Sequence, residues 1–428
     1  MTAGADLPRS SSPAALRAGK LEFLVLSCVI FLCTLHLLRN VSFVFPLMYV
    51  TGASLLFAYG LRRMKVTGAQ LLILACYAYV VLVTLFYAQD FGDPGIGIAR
   101  LVYLLPLVLY LFGARLDDWQ AIRVWKLLGF FAVLAALSIF FQYVFGAVTW
   151  FAESSERAGT TRFASLAGSL TAFGSIVGPA CFLAWLLIPR PLLRIALVLM
   201  FLIAALLSLQ KAAILGAVLG VLLGVLAARQ RSTPIASASV GVATLVLGAM
   251  VWHVLQAWLT PELQDALQVF VRGTIGEEGS GDVSIAESIR ERFVDRPLAS
   301  VEFHGIQALL FGVGAYGASG ALGYAQLPMM HNLLGEVLIV SGVGVFSIFA
   351  VTSMLALLRA ARWILLQNDG ATRARAAAGV FLLTFAVGLN TGSLHFHPVI
   401  GLLFWFSLRE LTVEPSRWNA LRRTAGSV

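Results

Sequence analysis

Seven basic residues lie in three polar segments that separate apolar runs of this sequence. Guanidinium groups bind phosphate oxygens in pairs, and a lysine ammonium binds them as a point charge. Arg162 and Lys211 have no acidic residue within three positions, so neither has an obvious local ion-pair partner. We therefore expect a diphosphate-binding cluster centred on these two residues. The seven residues are Arg157, Arg162, Lys211, Arg272, Arg290, Arg292 and Arg296.

Three members of this set have a second interpretation, because each has a carboxylate nearby with which it can form a local ion pair. The pairs would be Arg157 with Glu156, Arg272 with Glu277, and Arg296 with Asp295. We keep Arg272 among the expected diphosphate ligands, together with Arg290 and Arg292.

His331 stands where a long polar segment returns to an apolar run, in the sequence HNLLGE at 331–336. A histidine at a helix N-terminus loses its proton more readily because of the helix dipole, and the neutral imidazole can then accept a proton as a general base. Gly335, Gly342 and Gly344 would allow another helix to approach closely. The local sequence leaves both a catalytic and a structural histidine open.

Several other polar residues are expected to line the same cavity. His395 and His397 are two positions apart, so their rings cannot point the same way on a helix, and no Asp, Glu or Cys nearby completes a metal site. We therefore predict no metal and no other cofactor. The glycine-rich segment 312–317 lacks a preceding strand and a following Lys-Ser/Thr pair, which favours a tight turn over a nucleotide site. The expected lining residues are Asn332, Glu336, Asn390, His395 and His397.

The elements that position these residues must lie in a membrane. Of 428 residues, 59% are hydrophobic and 12% are charged, and the mean hydropathy is +0.88. In soluble chains about 45–50% of the residues are apolar and about 25% are charged. A transmembrane helix needs about 20 apolar residues, whereas an outer-membrane barrel would alternate residue by residue. We predict an all-α integral membrane protein with helices at 21–38, 42–60, 69–88, 97–113, 127–147, 166–188, 192–209, 212–228, 235–259, 332–357, 376–394 and 398–412.

The charge distribution predicts the orientation of these spans. With both termini in the cytoplasm, the cytoplasmic side receives 21 basic and 7 acidic residues. The opposite side receives 9 basic and 14 acidic residues. The resulting net charges of +14 and −5 follow the positive-inside rule. Because insertion topology explains the basic face, we expect anionic lipid contact and no nucleic acid partner. The predicted segments are a tail at 1–20, nine spans within 21–259, a periplasmic loop domain at 260–331, three spans within 332–412, and a tail at 413–428.

The chain resembles the bacterial O-antigen ligase and O-antigen polymerase superfamily, mostly in its second half. The resemblance depends on four motifs in a fixed order: RFASLAGS at 162–169, SLQKAA at 208–213, LFGVGAYG at 310–317 after paired arginines, and HNLLGE at 331–336 followed by Gly342. Lys211 stands where the family usually has arginine, and Gly335 where a bulkier residue is common.

This resemblance implies a metal-independent glycosyltransferase of the C type in the bacterial inner membrane, with its active site facing the periplasm. The implied donor is an undecaprenyl-diphosphate-linked glycan. His331 would be the general base that deprotonates the acceptor hydroxyl. Arg162, Lys211 and Arg290 or Arg292 would hold the departing diphosphate.

We expect a polymerase that joins lipid-linked repeat units into exopolysaccharide or O-antigen. Its expected partners are the donor, a glycan acceptor, membrane lipids, a chain-length regulator and export machinery. The main alternative is a ligase that moves finished glycan onto lipid A core. A transporter or flippase is a more distant alternative, since it would place its charges at mid-membrane.

Overall fold

The computed structural model describes most of the chain as helix. The described residues are 13–35, 42–61, 66–88, 95–113, 118–148, 154–157, 160–168, 172–228, 265, 290–317, 333–365, 370–387 and 398–412. The predicted span at 235–259 lies outside them, as do residues 1–12 and 413–428 of the two predicted tails.

The α-helices, numbered in chain order, are Pro13–Thr34 (α1), Val44–Leu61 (α2), Gly68–Phe86 (α3), Gly95–Val102 (α4), Leu105–Gly113 (α5), Asp118–Phe145 (α6), Ala172–Leu187 (α7), Pro191–Leu207 (α8), Lys211–Ala228 (α9), Arg296–His304 (α10), Gln307–Phe311 (α11), Leu333–Leu365 (α12), Gly370–Val387 (α13) and Pro398–Thr412 (α14). A π-helical turn at Glu291–Asp295 precedes α10, and a 3₁₀ turn at Gly314–Gly317 follows α11. Two short antiparallel strands, Ser154–Arg157 (β1) and Thr160–Phe163 (β2), are the one departure from the all-α prediction among the described residues.

The described helices have the length and composition expected of an α-helical membrane protein. Within the described residues, three helical segments are long and apolar enough to cross a membrane: Gly68–Phe86, Gln120–Phe145 and Leu333–Ile364. Five shorter apolar helices accompany them, at Leu21–Thr34, Val44–Gly60, Ala172–Leu187, Pro191–Leu207 and Lys211–Ala227. The total of twelve spans and their orientation stay predictions.

The predicted fourth span, 97–113, is wrong as a single helix. α4 ends at Val102 and α5 begins at Leu105, with Pro106 as its second residue. Proline has no N–H and its ring clashes with the carbonyl four residues earlier, here that of Val102, which destabilises a continuous helix at this point. α6 also begins at Asp118 rather than at 127, because the polar residues before its apolar run continue the helix.

The helices alternate in direction, which gives the bundle two distinct ends. At one end the Tyr110 hydroxyl of α5 donates a hydrogen bond to a Glu22 carboxylate oxygen of α1 at 2.8 Å, and Arg123 of α6 lies 5.7 Å from the centre of the Phe23 ring. The second half of α14 lies here too, because the Phe406 ring packs against the Trp125 ring of α6 at 5.6 Å between centroids. We call this the Glu22 end.

The other end, which we call the Lys211 end, is where α3, α6 and α8 finish and where α9, α12 and α14 begin. The Tyr143 hydroxyl near the end of α6 donates to the Leu207 carbonyl at the end of α8, at 2.6 Å. Arg359, late in α12, donates to the carbonyl oxygens of Leu411 and Thr412 at the end of α14. These two helices therefore finish together at the Glu22 end and begin at the Lys211 end.

Glycines hold α9 tightly against α7. Gly216, Gly220 and Gly224 recur every fourth residue along one side of α9, a spacing that lets helix backbones approach closely in membranes. A Cβ added at Gly178 of α7 would lie 2.8 Å from the Gly216 carbonyl oxygen, so this contact has no room for a side chain. The first residue of α9 is Lys211, which this contact therefore fixes relative to α7.

α12 is broken at Gly342, where φ is +70° and ψ is 172°. The break accepts the chain that follows α11: a Cβ at Gly342 would lie 2.6 Å from the Leu310 carbonyl oxygen, and a Cβ at Gly312 would lie 2.6 Å from the Val340 carbonyl oxygen. Gly312 also has a positive φ, +79°. The glycine-rich segment therefore turns tightly, as predicted, and does so by backbone contact with α12.

Replacement of Gly342 by alanine should lower the thermal unfolding midpoint of the detergent-solubilised protein. The backbone of Gly342, with φ +70° and ψ 172°, lies in a region open essentially to glycine alone. Holding a residue with a side chain there costs about 1–3 kcal/mol, and the added methyl would also meet backbone atoms. Gly344→Ala is the matched control, because a Cβ there meets nothing within 4 Å. Equal midpoints for the two variants would contradict the role assigned to Gly342.

Candidate functional site

Arg162 lies on β2, which is attached to the end of α6. The Phe163 ring meets the Tyr143 ring edge-on at 5.1 Å between centroids, and the neighbouring Arg162 is half-buried. That hydroxyl donates to the Leu207 carbonyl oxygen, four residues before Lys211. Tyr143 therefore links the element that carries Arg162 to the corner that carries Lys211.

The chain after β2 is fastened to α6 by two buried side chains. Gln142 donates through Nε2 to the Ala164 carbonyl oxygen at 2.9 Å, and the Leu166 amide donates to the Ser138 hydroxyl at 3.0 Å. These bonds hold 164–168 against α6, where the chain turns and the Gly168 amide donates to the Ser165 carbonyl oxygen at 3.2 Å. They also explain why α7 begins at Ala172 and not at the predicted 166.

Lys211 follows a tight corner between α8 and α9. Leu209 has φ +49°, in the left-handed region that residues with a side chain seldom adopt, and it is fully buried. Backbone strain of this kind costs about 1–3 kcal/mol and is concentrated at functional sites. The next residue, Gln210, is also buried, and its amide oxygen has no hydrogen-bond partner among the residues the structure describes. Lys211 itself is half-buried at the positive end of the α9 dipole.

The first turns of α12 lie inside the bundle at the same end. Leu333, Glu336 and Val337 are 3%, 4% and 8% exposed, and α12 contacts α9. A carboxylate at this depth is costly in free energy and is a functional candidate for that reason. The predicted lining residue Glu336 is therefore buried at the Lys211 end, and its role stays a prediction.

Several predicted site residues lie outside the described part of the chain. They are Arg272, His331, Asn332, Asn390, His395 and His397, and of Arg292 only the backbone is described. The structure does describe the helices that follow two of these residues in sequence. α12 begins two residues after His331, and α14 begins one residue after His397, both at the Lys211 end.

The predicted partner of Arg296 is wrong. Arg296 donates to a Glu291 carboxylate oxygen at 2.6 Å, while Asp295 is 3.6 Å from Arg290. The π-helical turn at 291–295 is the reason, because it brings residues five positions apart onto one side, whereas adjacent residues point apart. Arg290, one of the expected diphosphate ligands, is 78% exposed and paired with a carboxylate.

Tyr143, Gln142 and Gln210 belong to this site and were not predicted from the sequence. The available signal was weak: a Gln-Tyr pair near the end of an apolar run, and a glutamine just before Lys211. Among the described residues, no group of three or more His, Cys, Asp and Glu is placed to hold a metal ion.

No profile of a known protein family matches the chain, and no curated protein matches it.

Proposed function

We propose that this protein is a glycosyltransferase of the bacterial inner membrane that polymerises undecaprenyl-diphosphate-linked repeat units at the periplasmic face. The observation that carries the proposal is the link through Tyr143, which attaches β2 with Arg162 to the α8–α9 corner with Lys211. Two residues with no acidic neighbour in sequence thus belong to one structural unit at one end of a membrane bundle.

The basic residues suit the departing group of this reaction. In the proposed step the acceptor hydroxyl oxygen forms a bond to the anomeric carbon of the donor sugar, and the bond from that carbon to the diphosphate breaks. Negative charge develops on the diphosphate as it leaves, and fixed cations in a water-poor site stabilise it more than water does. Arg162 and Lys211 would supply that charge, with Arg272, Arg290 and Arg292 as further candidates.

His331 would take the proton from the acceptor hydroxyl. Its position two residues before α12, together with the burial of the helix that follows, supports a site at the Lys211 end. Glu336 and the predicted lining residues Asn332, Asn390, His395 and His397 would shape the acceptor cavity.

Incubation of the purified protein with its lipid-linked repeat unit alone tests the proposal. A ladder of lengthening products is the expected result. Transfer only after addition of lipid A core would show a ligase, and movement of the lipid across a vesicle without covalent change would show a transporter.

Glycan transfer should persist in excess EDTA. In the sequence, the outer polar segments contain no set of residues with metal-ligand spacing. In the proposed site, the cationic side chains of Arg162 and Lys211 would stabilise the charge of the departing diphosphate, which is the task a metal ion would otherwise have. Activity lost in EDTA and restored by a divalent ion would contradict it, with Asp282, Glu287 and the pair His395 and His397 as the first ligands to test.

A further inference from the structure

α10 and α11 expose an unusual amount of apolar surface outside the long helices. Phe303, Ile306, Leu310 and Phe311 are 49%, 72%, 51% and 59% exposed. We call these four residues the 303–311 face. Exposed aromatic and branched side chains that adjoin one another mark a surface that is covered in use.

The opposite side of this segment is packed against the bundle. Ala308 is buried with Val313 and with Ile339 of α12, and Val301 and Leu309 pack around them. His304, also on this inner side, is buried, and burial lowers its pKa, which keeps the imidazole neutral at pH 7. The segment is therefore two-sided, and its inner side is already occupied.

Contacts with α3 fix the height of the segment along the bundle. The Tyr79 hydroxyl donates to the Phe311 carbonyl oxygen at 2.7 Å. Tyr79 lies seven residues before the end of α3, or about 10 Å at 1.5 Å per residue. Since α3 has 19 residues and is about as long as the apolar layer is thick, Phe311 lies about 10 Å inside the boundary of that layer.

The neighbouring helices expose apolar side chains between this level and the end of α3. Leu82 and Phe86 of α3 are 65% and 77% exposed, and Val343, next to the Gly342 break, is 47% exposed. The 303–311 face therefore continues the lipid-facing surface of two helices that are long and apolar enough to cross a membrane.

We propose that the 303–311 face is immersed in the bilayer, so that α10 and α11 form an interfacial anchor contacting lipid acyl chains at the Lys211 end. Interfacial helices bury an apolar face about 5–10 Å into the boundary between headgroups and acyl chains, which agrees with the level set by Tyr79. The charged pairs Arg290–Asp295 and Arg296–Glu291 precede the face in the chain, at the start of the segment.

Spin labels at single cysteines test the proposal in proteoliposomes. The four native cysteines are free and would be replaced by alanine. The quantity measured is the ratio of a label's collision rate with oxygen to its collision rate with an aqueous nickel chelate. Labels at Ile306→Cys and Phe311→Cys should give a ratio above one, equal to that of a label at Leu82→Cys on α3. Asp295→Cys is the aqueous control. Ratios at 306 and 311 equal to that at 295 would overturn the proposal.

A second measurement leaves the cysteines in place. A photoreactive benzoylphenylalanine at position 306 should form adducts with the mass of the vesicle phospholipid. Adducts with a second protein chain, without lipid adducts, would show a protein partner and overturn the proposal. Neither measurement depends on glycan transfer, so failure of the proposed function would leave this test intact.

Discussion

Replacement of His331 by alanine should reduce glycan transfer by roughly 10²–10⁴-fold, the usual contribution of a general acid or base. Without the imidazole, no neutral base would stand before α12 to accept the acceptor proton. The measurement is the initial rate of product formation from the lipid-linked repeat unit, with donor binding measured separately. Binding should change little, because the acceptor proton is not involved in holding the donor.

The control for this variant is a second histidine. His304→Gln removes an imidazole that is buried on the inner side of α10 and α11, and it should leave the transfer rate within a few-fold of wild type, since we assign His304 no part in the reaction. A near-normal rate in His331→Ala would refute the general base.

Lys211 and Arg162, the two central cations, should respond in opposite ways when each is replaced by the other basic residue. Lys211→Arg should keep much of the activity, whereas Lys211→Ala should lose about 10²-fold, because a charged hydrogen bond contributes roughly 1.5–3 kcal/mol and tenfold in rate corresponds to about 1.36 kcal/mol. Arg162→Lys should lose activity although the charge remains, because an ammonium cannot bind two phosphate oxygens in parallel as a guanidinium does.

Arg123→Ala serves as the matched control for this pair. It also removes a cation from the bundle, but at the Glu22 end, where Arg123 lies over the Phe23 ring. Its transfer rate should stay close to wild type. If Lys211→Ala and Arg162→Lys were both as active as this control, the diphosphate would have to be held by Arg272, Arg290 and Arg292 alone.

The sequence was most informative where an apolar run ends at a charge or a glycine. α3 was predicted at 69–88 and is found at Gly68–Phe86, and α9 was predicted at 212–228 and is found at Lys211–Ala228. Such ends depend on local residue types. The break at Pro106 was also local and was missed because a hydropathy pattern does not register a lost N–H.

The parts that could not be predicted depend on contacts between distant segments. Tyr143 joins β2 to the end of α8 through one ring contact and one hydrogen bond, and neither leaves a periodic pattern in the sequence. Likewise, the reciprocal fit of Gly312 and Gly342 requires both backbones to be present. The ion pair of Arg296 with Glu291 follows from a π-helical turn that no residue pattern indicated.

The break in α12 has a consequence for how the chain is assembled in the membrane. Residues 343–365 of α12, about 34 Å long at 1.5 Å per residue, can cross the bilayer without help from 333–341. The first part, 333–341, packs against the chain around Val313, whose amide donates to the Ile339 carbonyl oxygen at 2.9 Å. That chain is in turn held to α3 by the bonds between Tyr79 and Phe311 and between Thr84 and Ala315, which are 232 and 231 residues apart in sequence. Contacts of such long sequence separation form late in folding. We therefore expect α12 to be inserted by its second half during synthesis, and the segment that follows His331 to dock only after the loop region has settled against α3.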